Sequence, residues 1–255
     1  MSISAQSVNP SVSTSSTPRS LPPRARVRGL DGVRALAVFM VLAYHLLPGA
    51  LPGGKVGVDA FFVISGFLIT SLLVDERRRT GSTNLRRFWV RRLRRIVPAL
   101  LSTIVVTVSL AAWPGGDVLL GIRRQVLGAI GLVYNWVEIF AGSSYFDQAQ
   151  PSLLTNVWSL AVEEQFYLVW PLLLLLLLGR ADSRWRRYLA CGAAVVLTAA
   201  SVWLSLTLAA RGADPSRLYL GTDTHAYGLM AGSALALLHG HVLDPTRVTT
   251  PLLER

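Results

Sequence analysis

The stretch Phe166-Tyr-Leu-Val-Trp-Pro-Leu-Leu-Leu-Leu-Leu-Leu-Leu-Gly179 carries no charged residue and includes seven consecutive leucines. A second uncharged run covers 188–210. An apolar helix of about 20 residues spans the hydrocarbon core of a bilayer. The whole chain of 255 residues is 52% hydrophobic and 15% charged, whereas soluble domains are about 25% charged. The sequence therefore predicts an all-α fold, a polytopic bundle of membrane helices.

The apolar runs divide the chain into candidate membrane spans. We predict six spanning helices, at about 32–48, 57–74, 96–113, 157–178, 188–210 and 218–239. The stretch 118–140 differs, because its apolar centre, Val126–Val137, is only about a dozen residues long. We expect a re-entrant or interfacial segment there, and a seventh span is the alternative.

The arginines predict the orientation. If the N-terminus is cytoplasmic and 118–140 does not cross, both termini and the loops 77–95 and 180–187 lie inside. Of the 25 basic residues, 19 are then inside, five are outside, and Arg34 is in the membrane. A crossing 118–140 would move Arg180 and three further arginines outside, so the positive-inside rule favours the first arrangement.

The net charge of +11 is also typical of nucleic-acid binding, but 24 of the 25 basic residues are arginines beside apolar runs. This distribution favours membrane lipids as partners and no nucleic acid. Cys191 is the single cysteine, and the four histidines lack metal-ligand spacing, so we expect no metal site. The Ser- and Pro-rich start predicts a disordered cytoplasmic tail over 1–26, and 241–255 reads as a short tail.

The first span contains ionisable residues that a lipid-facing helix would exclude. Arg34 and His45 are eleven residues apart, which is about three helical turns or roughly 16 Å along one face. Asp31 falls near the same stripe. The stripe alone fits a proton path or a packed polar pair, and it is the first place to look for chemistry.

The next two segments each have two interpretations. Ser65-Gly66, after Asp59 in the second span, favours close helix packing over chemistry. The segment Arg86–Pro98, if helical, places arginines on one face and apolar residues on the other. That pattern fits an interfacial lipid anchor or a guanidinium cluster that binds a phosphorylated cytoplasmic ligand.

Further polar residues lie near the starts of later spans. Glu163 and Glu164 follow Trp158-Ser159 in the fourth span, and their side chains point about 100° apart, so they cannot serve one site equally. Their negative charges either stabilise the N-terminal turns of the helix or take part in proton transfer. Asp223 and His225 occupy the corresponding place in the last span.

Taken in order, several motifs resemble the acyltransferase-3 family of integral membrane O-acyltransferases over about residues 27–240. They are Leu30-Asp-Gly-Val-Arg-Ala-Leu-Ala with His45, Gly57-Val-Asp-Ala-Phe-Phe-Val-Ile-Ser-Gly-Phe-Leu-Ile-Thr, Phe88–Pro98, Asn135-Trp136, Tyr145-Phe146, Trp158-Ser-Leu-Ala-Val-Glu-Glu-Gln-Phe-Tyr-Leu and Gly221-Thr-Asp-Thr. The resemblance implies transfer of an acyl group from acyl-CoA, with acetyl-CoA preferred, to a hydroxyl of a carbohydrate, cell-envelope, lipid or secondary-metabolite acceptor. It implies that CoA is a co-substrate and that no cofactor is permanently bound.

The resemblance also implies residue roles. It makes Arg34 and His45 an essential pair, with His45 a base or a transient acyl carrier. The predicted catalytic residues are Asp31, Arg34, His45, Glu163 and Glu164. The predicted acyl-CoA-binding residues are Arg91, Arg92, Arg94 and Arg95. The predicted substrate-side residues are Asp59, Ser65, Trp158, Ser159 and Asp223.

The sequence departs from the family in two places. The family often has arginine where His225 stands, and its membrane domain usually has about ten helices. We therefore expect a C-terminally incomplete domain, and a partner supplying the missing helices would complete it. The alternative function is an inactive remnant or partner subunit. A transporter is disfavoured, because no inverted repeat is present.

Overall fold

The computed structural model describes residues 29–47, 56–113, 119–145, 152–179 and 183–242. Asp31 and His45 lie in a helix, and their side chains are outside the described part of the structure. The predicted tails fall outside the described residues, apart from the helical backbone at 241 and 242. The described residues form helices and connections without a strand, so the all-α prediction is confirmed.

The described helices follow the predicted apolar runs. Their bounds are α1 (Leu30–Leu46), α2 (Val56–Thr80), α3 (Leu85–Ala112), α4 (Ile122–Ile130), α5 (Tyr134–Phe140), α6 (Val157–Leu178), α7 (Arg184–Ala210), α8 (Pro215–Leu220) and α9 (Thr222–Val242). Four of them, α2, α3, α6 and α7, are long and apolar enough to cross a membrane, and α1 is a shorter apolar helix. The chain is a membrane protein, and six spans remain a prediction.

The basic segment and the third span form one helix. The predicted span 96–113 is the second part of α3, a 28-residue helix with Pro98 inside it. Asn84 caps the start of α3, since its side chain accepts a hydrogen bond of 2.9 Å from the Arg87 amide. The arginines therefore extend rigidly from the apolar part of α3.

The stretch 118–140 contains two short helices, α4 and α5, of nine and seven residues. At about 1.5 Å per residue neither approaches the roughly 30 Å of a bilayer core. They are separated by a turn in which Leu132 has a φ of 57°. This division supports the interpretation that the stretch does not cross as one span.

Helix α2 lies at the centre of the bundle, between α1, α6 and α9. Gly66 of α2 and Gly232 of α9 make the approach of these two helices possible. A Cβ atom on Gly66 would lie 1.9 Å from the Leu229 carbonyl oxygen, and one on Gly232 would lie 1.9 Å from the Val63 carbonyl oxygen. The predicted role of Ser65-Gly66 in helix packing therefore holds for Gly66.

Substitution of these glycines by alanine is expected to destabilise the bundle. Gly66→Ala or Gly232→Ala forces α2 and α9 apart, at a cost of about 1–3 kcal/mol. This corresponds to a fall of roughly 5–10 °C in the unfolding temperature measured in detergent. Gly192→Ala in α7 is the control, because its Cβ would meet nothing within 4 Å. An equal fall for Gly192→Ala would contradict this account of the packing.

The bundle has two chemically different ends. Helices α2 and α6 run parallel, because Trp170 donates a 2.8 Å hydrogen bond to Thr70 while Phe62 contacts Trp158. The basic end is where α2 ends and α3 begins, and it carries arginines. The aromatic end is where α2, α6 and α9 begin, and it carries Asp59 among aromatic rings.

Candidate active site

A cavity of about 920 Å³ opens at the basic end. Arginines from three helices line it: Arg34 of α1, Arg78 and Arg79 of α2, and Arg91, Arg92 and Arg95 of α3. Asp75 also lines it and accepts a 2.9 Å hydrogen bond from Arg79. The excess of guanidinium groups gives this cavity the chemistry that binds a polyanion, since arginine binds phosphate oxygens bidentately.

A second cavity of about 380 Å³ lies between α1, α2 and α6. Its lining is mostly apolar, and among the described residues its polar side chains come from Asn156, Ser159 and Glu163. It borders the part of α1 between Ala37 and Leu42, which continues toward His45. This smaller cavity extends from the arginine-lined cavity to the aromatic end, since Gly57 and Asn156 at the starts of α2 and α6 also line it.

Glu163 lines both cavities. Its side chain is buried in α6, and it accepts a hydrogen bond from the Ser65 hydroxyl on one oxygen and a 3.2 Å bond from the Tyr167 hydroxyl on the other. A buried carboxylate is costly unless it is hydrogen-bonded or paired. Two donors hold Glu163 in place, and a carboxylate has further lone pairs that can accept hydrogen bonds.

Two arginines contact aromatic rings beside Glu163. The Arg92 guanidinium carbon lies 4.1 Å from the centroid of the Tyr167 ring. The corresponding carbon of Arg34 lies 5.3 Å from the centroid of Phe61. Trp89 joins α3 to α6 by donating a 3.0 Å hydrogen bond to the Tyr167 carbonyl. These contacts hold the guanidinium groups of Arg34 and Arg92 near Glu163.

Glu164 has a different environment. It is buried, lines neither cavity, and has one carboxylate oxygen without a hydrogen-bond partner. The expected divergence of Glu163 and Glu164 is therefore observed, and the geometry singles out Glu163.

The aromatic end holds Asp59 in a closed cluster. Asp59 accepts a 2.7 Å hydrogen bond from Tyr227 and lies 3.7 Å from the His225 ring nitrogen. Trp158 and Tyr219 pack around His225 at centroid distances of 5.2 and 5.4 Å. Neither Asp59 nor Trp158 lines either of the two cavities, and both contact other members of this cluster. Their substrate-side role stays a prediction.

Tyr145, just outside the helices, completes this aromatic cluster. Its ring centroid lies 4.6 Å from that of Tyr219. Burial raises the pKa of the Tyr145 phenol above its ordinary value, so its hydroxyl stays neutral.

Asp223 forms a bidentate ion pair with Arg217, at 3.0 and 2.6 Å. Close by, Gln165 links α5, α6 and α9, because its amide nitrogen donates to Asn135 at 3.0 Å and its oxygen accepts from Thr222 at 2.6 Å. These bonds fix the start of α9 against α5 and α6. The structure therefore places Asp223 in a support for the bundle, away from both cavities.

The predicted residues divide into two groups. The cavities bring together Arg34, Ser65, Arg91, Arg92, Arg95, Ser159 and Glu163. They leave out Asp59, Arg94, Trp158, Glu164 and Asp223. Among the lining residues that sequence reasoning missed are Arg78, Arg79, Tyr167 and His239. Tyr167 had a detectable signal, since it lies four residues after Glu163 on one helix face.

In a helical membrane protein, a guanidinium-lined cavity next to a buried carboxylate provides the groups that a group-transfer enzyme of the membrane uses. The family described as "Acyltransferase domain" matches residues 27–242, and the chain belongs to this acyltransferase family. The predicted family membership is thereby confirmed.

Named relatives are similar over most of this chain. A peptidoglycan O-acetyltransferase of Listeria monocytogenes is 42% identical over 219 residues, which are 84% of this chain and 34% of that protein. A putative peptidoglycan O-acetyltransferase of Bacillus subtilis is 42% identical over 213 residues, covering 83% and 33%. A putative O-acetyltransferase of Staphylococcus aureus is 39% identical over 213 residues, covering 83% and 35%. The chain spans about a third of the length of these relatives. No solved structure matches the chain.

Proposed function

We propose that the chain is the membrane part of an O-acetyltransferase that moves an acetyl group from acetyl-CoA to a hydroxyl of a cell-envelope carbohydrate. The observation that carries this proposal is the arginine-lined cavity of about 920 Å³ that reaches Glu163. CoA presents a diphosphate and a further phosphate, which match guanidinium groups from three helices. The names of the relatives favour peptidoglycan as the acceptor.

The proposed orientation puts the basic end in the cytoplasm, where acyl-CoA is made. Arginines are concentrated at this end, as the positive-inside rule requires of the cytoplasmic side. In this multi-pass arrangement the N-terminus is cytoplasmic, and the aromatic end faces the cell envelope. The acyl group then crosses from the arginine-lined cavity to the acceptor side past Glu163.

The transfer itself exchanges a thioester for an ester. The acceptor oxygen bonds to the acyl carbon, the carbon–sulfur bond breaks, and the acceptor proton passes through a base to the departing sulfur, so that CoA leaves as the thiol. Glu163 is the proposed base at the junction of the cavities, and Arg34 polarises the thioester carbonyl. His45, farther along α1, is proposed either to take the acceptor proton and pass it to Glu163 or to carry the acyl group transiently.

The second candidate is the non-catalytic remnant or partner subunit. A partner subunit would cover apolar surface that the described helices leave exposed. The large apolar surfaces on α3 and α7, such as Leu110 and Val196 at 69% and 66% exposure, fit lipid or additional helices equally well.

Transfer of radiolabelled acetyl from acetyl-CoA to peptidoglycan distinguishes the two candidates. Membranes that contain the chain are expected to label the acceptor, and His45→Ala is expected to lose about 100-fold or more of the rate. Equal labelling by the wild type and His45→Ala would remove His45 from the mechanism. The absence of labelling by both, in a correctly inserted chain, would favour the remnant.

A further inference from the structure

The two cavities meet at three side chains. Phe61 of α2 and Leu160 and Glu163 of α6 line both of them. Glu163 supplies the polar part of this junction and is held by Ser65 and Tyr167. Phe61 and Leu160 supply its apolar part. Any group that passes from one cavity to the other passes these two side chains.

The cavities on the two sides of the junction prefer different parts of a donor. The larger one is lined by six arginines and binds the phosphorylated part. The smaller one has an apolar wall from α1, formed by Ala37, Val38, Val41 and Leu42. An alkyl chain is favoured there, by about fourfold in affinity for each methylene group buried.

The side chain of Phe61 is held in this position from the basic end. The Arg34 guanidinium carbon lies 5.3 Å from the centroid of its ring, which is within the range of a cation–π contact. The next residue, Phe62, is 1% exposed and packs edge-on against Trp158, with ring centroids 6.0 Å apart. The α2 side of the junction is therefore rigid.

We propose that Phe61 and Leu160 determine the length of the acyl group that the enzyme accepts, an inference that rests on the proposed function. A short acyl group fits beside Glu163 on the donor side of the junction. A longer chain has to pass Phe61 and Leu160 to reach the apolar cavity of about 380 Å³. Shortening either side chain joins the two cavities and admits longer acyl groups.

The test measures binding of two thioethers, S-ethyl-CoA and S-hexyl-CoA, to the purified chain in detergent. Thioethers cannot transfer their alkyl group, so the readout does not depend on catalysis. The ratio of the ethyl Kd to the hexyl Kd is expected to rise at least about 10-fold in Leu160→Ala, and by about 3-fold or more in the milder Phe61→Leu. Leu168→Ala is the matched control, because Leu168 is on the same helix, is 57% exposed and lines neither cavity.

An unchanged ratio in folded Leu160→Ala and Phe61→Leu, or the same rise in Leu168→Ala, overturns the inference while the proposed function stands. Binding of both thioethers with the expected ratios supports the inference even if no acetyl transfer is detected. Failure of the wild type to bind either thioether overturns the inference together with the proposed donor.

Discussion

Glu163→Gln is expected to lower the rate of acetyl transfer at least about 100-fold, which is the size of effect seen when a general acid or base is removed. Glutamine has nearly the same volume and keeps an oxygen that accepts a hydrogen bond, but it cannot take the acceptor proton. Glu163 is the side chain of the neighbouring pair that lines both cavities. The rate is measured with labelled acetyl-CoA in membranes that contain equal amounts of each variant.

Glu164→Gln is the matched control. Glu164 is equally buried, with 8% exposure against 9% for Glu163, but it lines neither cavity. We expect its rate to stay within about fivefold of the wild type, because no reacting group is removed. The Kd for S-ethyl-CoA separates chemistry from binding, and we expect it to change by less than about threefold in both variants. A larger loss of rate in Glu164→Gln than in Glu163→Gln would contradict the assignment.

Replacing Arg91, Arg92 and Arg95 together by alanine is expected to weaken donor binding about 1,000-fold. A hydrogen bond to a charged group contributes about 1.5–3 kcal/mol, so each arginine that binds phosphate adds roughly tenfold or more to the affinity. All three line the arginine-lined cavity. The measurement is the Kd for S-ethyl-CoA in detergent, repeated at several salt concentrations, because phosphate contacts weaken as salt rises.

Arg94→Ala is the control for this triple variant. Arg94 lies on the same helix, is exposed, and does not line the cavity. We expect its Kd to stay within about threefold of the wild type. A loss in Arg94→Ala as large as that from one cavity arginine would indicate that the general positive charge of α3 attracts the donor, and that the cavity does not define its site.

Much of the helical architecture could be predicted, because long apolar runs have few alternatives in a membrane protein. The boundaries were harder. The apolar pattern ends the second span at 74, but α2 continues to Thr80. This extension brings Arg78 and Arg79 into the arginine-lined cavity. The last span was expected to begin at 218, but the chain breaks at Gly221 between α8 and α9. Such breaks depend on tertiary contacts, such as the Asn135 hydrogen bond to the Leu220 carbonyl.

The site was predictable in its residue types and only partly in its geometry. The sequence shows that Glu163 and Glu164 diverge, but the rotation of α6 within the bundle decides which one reaches a cavity. Ser65 lines the arginine-lined cavity and donates a hydrogen bond from α2 to Glu163 of α6, a contact that the sequence does not reveal. No sequence pattern indicates His239 as a site residue, because its place in the arginine-lined cavity depends on how α2 and α9 cross.

A crystal structure of the chain with bound S-ethyl-CoA, grown in a lipid phase, tests the central claim most directly. The account predicts the CoA phosphates against Arg91, Arg92 and Arg95, with the sulfur beside Glu163 and the ethyl group at Phe61 and Leu160. Density for CoA outside this cavity, or with its sulfur directed away from Glu163, would contradict the account.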